Sequence, residues 1–125
     1  MTYPLQTSNA CGKNFIQLSG EDATFLSFLI SGGVGCISVS ANIIPRLHSE
    51  MYNLWNVGEF KKAMKINHNI YELNSALFLE TSPAPVKYAL SVMGKCNSKL
   101  RLPLVDVNKS TKEKIKRVLS SLNII

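Results

Sequence analysis

The sequence predicts an α/β fold, made of one strand–helix–strand unit followed by a helical tail. Two short apolar runs, Phe15 to Leu18 and Cys36 to Val39, bracket a stretch with helical apolar spacing. After Pro45 the apolar residues recur at intervals of three and four. Strand, helix, strand in that order implies a parallel pair, because an antiparallel pair needs only a tight turn.

Met1 to Asn14 shows no periodicity, and Pro4, Gly12 and several small polar residues make it read as an irregular lead-in. Phe15 to Leu18 reads as a buried strand, stopped by Ser19-Gly20. Glu21 and Asp22 place negative charge where a helix would begin, which suits the positive end of its dipole. Phe25, Leu26, Phe28 and Leu29 form that helix's apolar face, and Gly32-Gly33 ends it. Gly35 leads into the second strand.

Pro45 suits a first helical position. Leu47, Met51, Leu54 and Trp55 give the stripe of a helix that Gly58 closes. A second helix starts near Glu59, with Phe60, Ala63, Met64, Ile70, Leu73 and Leu77 inward. Pro83 and Pro85 interrupt the chain before a third, marked by Val86, Leu90 and Met93. A loop spans Lys95 to Asn108, and Ser110-x-x-Glu113 reads as the capping box of a last helix with Ile115, Val118, Leu119 and Leu122 inward. Two parallel strands alone leave both outer edges unpaired, so the sequence looks like part of a larger α/β protein.

Composition excludes several function classes. The net charge is +6, but the lysines lie at Lys61, Lys62 and Lys65 and again from Lys109 to Arg117, inside amphipathic stretches. They read as solvated helix faces, and no aromatic ladder suggests stacking on bases, so nucleic acid is not expected as a partner. Cys11, Cys36 and Cys96 are widely spaced and odd in number, which fits neither a disulfide framework nor a zinc site. Reduced thiols point to the cytoplasm. His48 and His68 lack metal-ligand spacing and read as helix-surface residues, so neither metal nor cofactor is expected. No apolar run approaches the ~20 residues of a membrane span, and no secretory leader is apparent, so no membrane association is expected.

Three strings carry a family resemblance: LSGEDATFLSFLISGGVGCISVSANIIP from Leu18 to Pro45, LFLETSPAPVKYAL from Leu77 to Leu90, and LRLPL from Leu100 to Leu104. In order and spacing they resemble the C-terminal end of the dihydrodipicolinate synthase family, the Schiff-base (class I) aldolases whose versions read LSGDDAT, GGxGxISVxAN, FxExNPxPxK and RLP. The resemblance runs from Phe15 to Ile125. It implies a C-terminal fragment of a TIM (β/α)8 barrel, the last two strands, followed by a helical C-terminal extension. On that template residues 1–14 are the lead-in, 15–58 the end of the barrel and 59–125 the extension. Lys13 falls on a surface loop.

The resemblance also implies site residues. Gly20 follows the seventh strand beside the substrate, and the carbonyl of Ile37 faces the pyruvate-derived Schiff base. The family carries Asn near the second-substrate pocket where this chain has Ser82. The family reaction is the condensation of pyruvate with aspartate semialdehyde in lysine biosynthesis. It needs a nucleophilic lysine in a GxK context and a proton-relay tyrosine in YNxPxRT. Neither string occurs in these 125 residues, and Lys87 belongs to PxPxK instead. The expectation is a truncated lyase-type chain with no catalytic residue of its own. It would be inactive unless an N-terminal barrel piece supplies the rest, and prone to self-association through its open strands. The alternative is a non-catalytic remnant or a small helical interaction module.

Overall fold

A computed structural model describes every residue except Met1 and Lys13, so the surface-loop position expected for Lys13 lies outside the described residues. The chain forms two compact units, residues 1–38 and residues 39–125.

The first unit begins with a helix, α1 (Tyr3–Cys11), where the sequence suggested an irregular lead-in. Pro4 sits in the first turn, where its missing N–H costs nothing, and Gly12 ends the helix at φ +89°. The helix has no apolar stripe for a periodicity argument to find. It is held by a polar tie instead, as the buried Gln17 donates from Nε2 to the Pro4 carbonyl at 3.0 Å and to Ser8 Oγ at 2.8 Å.

Strand β1 (Leu18–Ser19) pairs in parallel with β2 (Gly35–Cys36), Leu18 opposite Gly35 and Ser19 opposite Cys36. Helix α2 (Phe25–Ile30) connects them and buries Phe25, Leu26 and Leu29. The order matches the βαβ reading, but the pairing is shorter than the apolar runs. The expected buried strand is also inverted: Gln17 and Ser19 point inward, while Phe15, Ile16 and Leu18 are more than half exposed. Strand side chains alternate faces, so fixing Gln17 and Ser19 inside fixes Ile16 and Leu18 outside, while Phe15 precedes the paired residues. A Cβ at Gly33 would lie 2.0 Å from the Phe28 ring, so a side chain there would have to displace that ring.

The second unit is helical: α3 (Pro45–Asn56), α4 (Phe60–Ala76), α5 (Ala84–Val92) and α6 (Lys109–Ser121), preceded by a 3-10 turn over Ser40–Asn42. Helix α4 packs on α3 and on α6, and α6 also packs on α5. Met51, Ile70, Leu73, Leu77, Ile115 and Leu119 are the largest apolar side chains of that core, each fully buried.

Three expectations are corrected here. His48 is buried and lies 2.6 Å from Ser40 Oγ, tying the 3-10 turn to α3. Phe60 and Met64 are half exposed, 50% and 52%, because they sit off the face that Ala63, Ile70, Leu73 and Leu77 turn to the core. The cap of α6 is Asn108, two residues before the expected capping box, its Oδ1 accepting from Thr111 N at 2.9 Å. Glu80 Oε1 accepts the backbone N–H of Asn108 at 3.0 Å, the contact a capping-box glutamate would make, here reaching from another element.

Asn74 is buried in α4, and neither its Oδ1 nor its Nδ2 finds a hydrogen-bond partner among the described residues. Leaving a buried polar group unpaired costs ~1–3 kcal/mol. Asn74→Leu, close in size, is therefore expected to raise unfolding stability by ~1–2 kcal/mol. Asn108→Ala should lower it by ~1 kcal/mol through loss of the cap. Denaturant titration of both variants measures the two shifts, and a less stable Asn74→Leu would refute the first.

Candidate functional site

The two strand ends of the first unit define the candidate site. Beyond the paired residues the ladder continues, with Val34 N donating to the Gln17 carbonyl at 3.0 Å and Ile37 N to the Ser19 carbonyl at 2.8 Å. Gly20 and Ile37 therefore follow the same C-terminal end of two adjacent parallel strands. In barrel proteins this is the end that carries chemistry. The turn after β1 is fixed by its own side chains. Ser19 Oγ accepts from Glu21 N at 3.0 Å and donates to the Glu21 carbonyl at 3.1 Å, and Ala23 N donates to Glu21 Oε1 at 3.2 Å.

Gly20 is exposed, its backbone avoids the left-handed region, and a Cβ added there meets nothing within 4 Å. Neither the turn nor the packing of this chain demands a glycine at that point. Ile37 is 72% exposed, an unusual setting for an isoleucine at a strand end.

Beneath the strand ends Cys36 Sγ lies 3.9 Å from Oδ1 of the buried Asp22. Burial first, and the Asp22 charge second, push the Cys36 thiol up to about 11. A thiol so raised stays protonated at neutral pH and is a poor nucleophile. Among the described residues no three His, Cys, Asp or Glu side chains are grouped to hold a metal.

Ser82, the third residue singled out, belongs to the second unit, on the exposed loop before α5. There Glu80, Thr81, Ala84, Pro103, Leu104 and Val105 line a surface depression of about 250 Å³, where residues of the second and third strings meet. Two charged residues of the second string hold the loop of the third. Glu80 takes the Asn108 N–H at 3.0 Å, and Lys87 Nζ donates to the Lys99 carbonyl. Sequence reasoning assigned no role to Glu80. Its signal was the spacing of Asn108-x-x-Thr111, which marks a helix start whose own backbone N–H must find an acceptor. At the same end of α6, Lys112 pairs with Asp106, whose carboxyl it holds below the usual range, and lies 5.5 Å over the Tyr88 ring.

A parallel strand pair joined through a helix, with its chemistry-bearing positions beyond the strand ends, is the repeat from which α/β barrels are built. The chain belongs to the dihydrodipicolinate synthetase family, whose sequence profile matches residues 1–122. It is 47% identical over 125 residues to the 4-hydroxy-tetrahydrodipicolinate synthase of Acidiphilium cryptum (strain JF-5), and 43% identical over 125 residues to that of Gluconobacter oxydans (strain 621H). All of this chain aligns, against 43% and 42% of those two proteins. It superposes on the 4-hydroxy-tetrahydrodipicolinate synthase of Methylacidiphilum fumariolicum SolV with a TM-score of 0.93 at 37% identity, covering 97% of this chain and 40% of that one. The dihydrodipicolinate synthase from Aquifex aeolicus gives a TM-score of 0.92 at 33% identity, with 97% and 41% covered. The chain thus has the fold of part of a TIM-barrel synthase. Among the described residues no helix is long and apolar enough to cross a membrane.

The thiols provide a direct check on the buried end of this site. Cys11 and Cys96 are exposed and Cys36 is partly buried. Iodoacetamide at pH 8 is expected to alkylate Cys11 and Cys96 well before Cys36. The Cys36 rate should climb with pH toward about 11, where its thiolate forms. Peptide mapping after timed quenching reads this, and early modification of Cys36 at neutral pH would contradict it.

Proposed function

We propose that this chain supplies the last two strands of a 4-hydroxy-tetrahydrodipicolinate synthase-type barrel, with its helical C-terminal extension. In this reading β1 and β2 are the seventh and eighth strands, residues 15–58 end the barrel, and residues 59–125 form the extension. Gly20 and the Ile37 carbonyl line the pyruvate side of the pocket, and Ser82 lies toward the second substrate, aspartate semialdehyde. The observation that carries the reading is the state of the strand pair. Leu18 on β1, and Phe15, Ile16, Val34 and Ile37 flanking the pair, all stand exposed, and the outer edges of the two strands have no neighbouring strand among the described residues. Parallel sheets are ordinarily covered on both faces. The glycine at Gly20, which nothing in this chain requires, fits a position that a bound molecule must approach closely.

The chemistry divides accordingly. The attacking amine and the proton relay would come from outside these residues, since neither the GxK nor the YNxPxRT string is present. This chain contributes backbone. A carbonyl at Ile37 accepts a hydrogen bond from a substrate or enol hydroxyl, and Gly20 leaves room for it. Ser82 offers a shorter hydroxyl in place of the family's amide, with no amide donor. The working compartment is the cytoplasm, where thiols stay reduced.

A second reading has its own support. The helical unit of residues 39–125 has a complete core, centred on Met51, Leu73, Ile115 and Leu119. Such a unit can act as a non-catalytic interaction module without any contribution from the strands.

The chain alone is expected to show no synthase activity and to form no adduct when incubated with pyruvate and borohydride. Mass spectrometry decides, and a stoichiometric adduct on any lysine would refute the proposal. Co-expression with a barrel piece bearing the GxK and YNxPxRT strings should restore condensation of pyruvate with aspartate semialdehyde. In that complex Gly20→Val should lower kcat/KM at least ~100-fold by blocking the pocket, ~3 kcal/mol in the transition state. A stable complex that remains inactive would favour the interaction-module reading.

A further inference from the structure

We draw no further inference here: the strongest candidate, the surface depression that Glu80, Thr81 and Ala84 form with Pro103, Leu104 and Val105 of the loop before α6, belongs to the Ser82 region already described, and the Glu80 carboxylate in it already accepts the N–H of Asn108.

Discussion

A parallel strand pair cannot satisfy itself. Each strand presents hydrogen-bonding groups on two edges and side chains on two faces, and a pair closes only one edge of each. Among the described residues the one closed edge joins Leu18–Ser19 to Gly35–Cys36. The features of the first unit follow from how the remaining demands are met. The inward face is met by polar contacts: Gln17 ties down α1, and Ser19 closes the turn over Glu21. The outward face, with Ile16, Leu18 and Ile37, is not met among the described residues.

The helical unit is built on the opposite logic. Helices satisfy their own backbones, so only side-chain stripes and helix ends need partners. Leu73 and Leu77 of α4 are buried along with Ile115, Val118 and Leu119 of α6, and α6 packs on both α4 and α5. Its surface ion pairs, such as Lys114 with Glu72 at 3.2 Å, are exposed and add little. The exposed and buried parts of one family sequence thus have separate physical origins, unpartnered sheet edges in one unit and self-sufficient helix packing in the other.

What could be read in the sequence tracks this division. The helices α3 to α6 were legible because their apolar residues repeat with the helix period and because Pro45, Gly58 and Gly94 punctuate them. Helix α1 was not, since a helix held by Gln17 rather than by an apolar stripe leaves no periodic trace. The strand positions were found but their faces were inverted. An apolar run gives a strand's place, whereas its orientation depends on which neighbours exist. His48 was misplaced because a histidine on a helix reads as polar surface until a buried hydroxyl such as Ser40 stands within reach. For the site, Gly20 and Ile37 came from family strings, and composition or periodicity alone would have left them a turn glycine and a core residue. Glu80 was missed because the helix start at Asn108 shows that an acceptor is needed but not that it comes from 28 residues away.

That last contact has a consequence for how the helical unit assembles. Helix α6 has a strong local start, with Asn108 capping Thr111, and it can nucleate as soon as its own residues are available. Yet the N–H of Asn108 is held by Glu80, and the loop leading to it is held at Lys99 by Lys87. Neither anchor is in place until the segment around α5 has taken shape. The last helix therefore carries its own local cap but depends on the segment around α5 for the anchor of its first N–H and of the loop before it. Local and long-range contacts thus meet at Asn108, whose side chain caps Thr111 and whose N–H is held by Glu80.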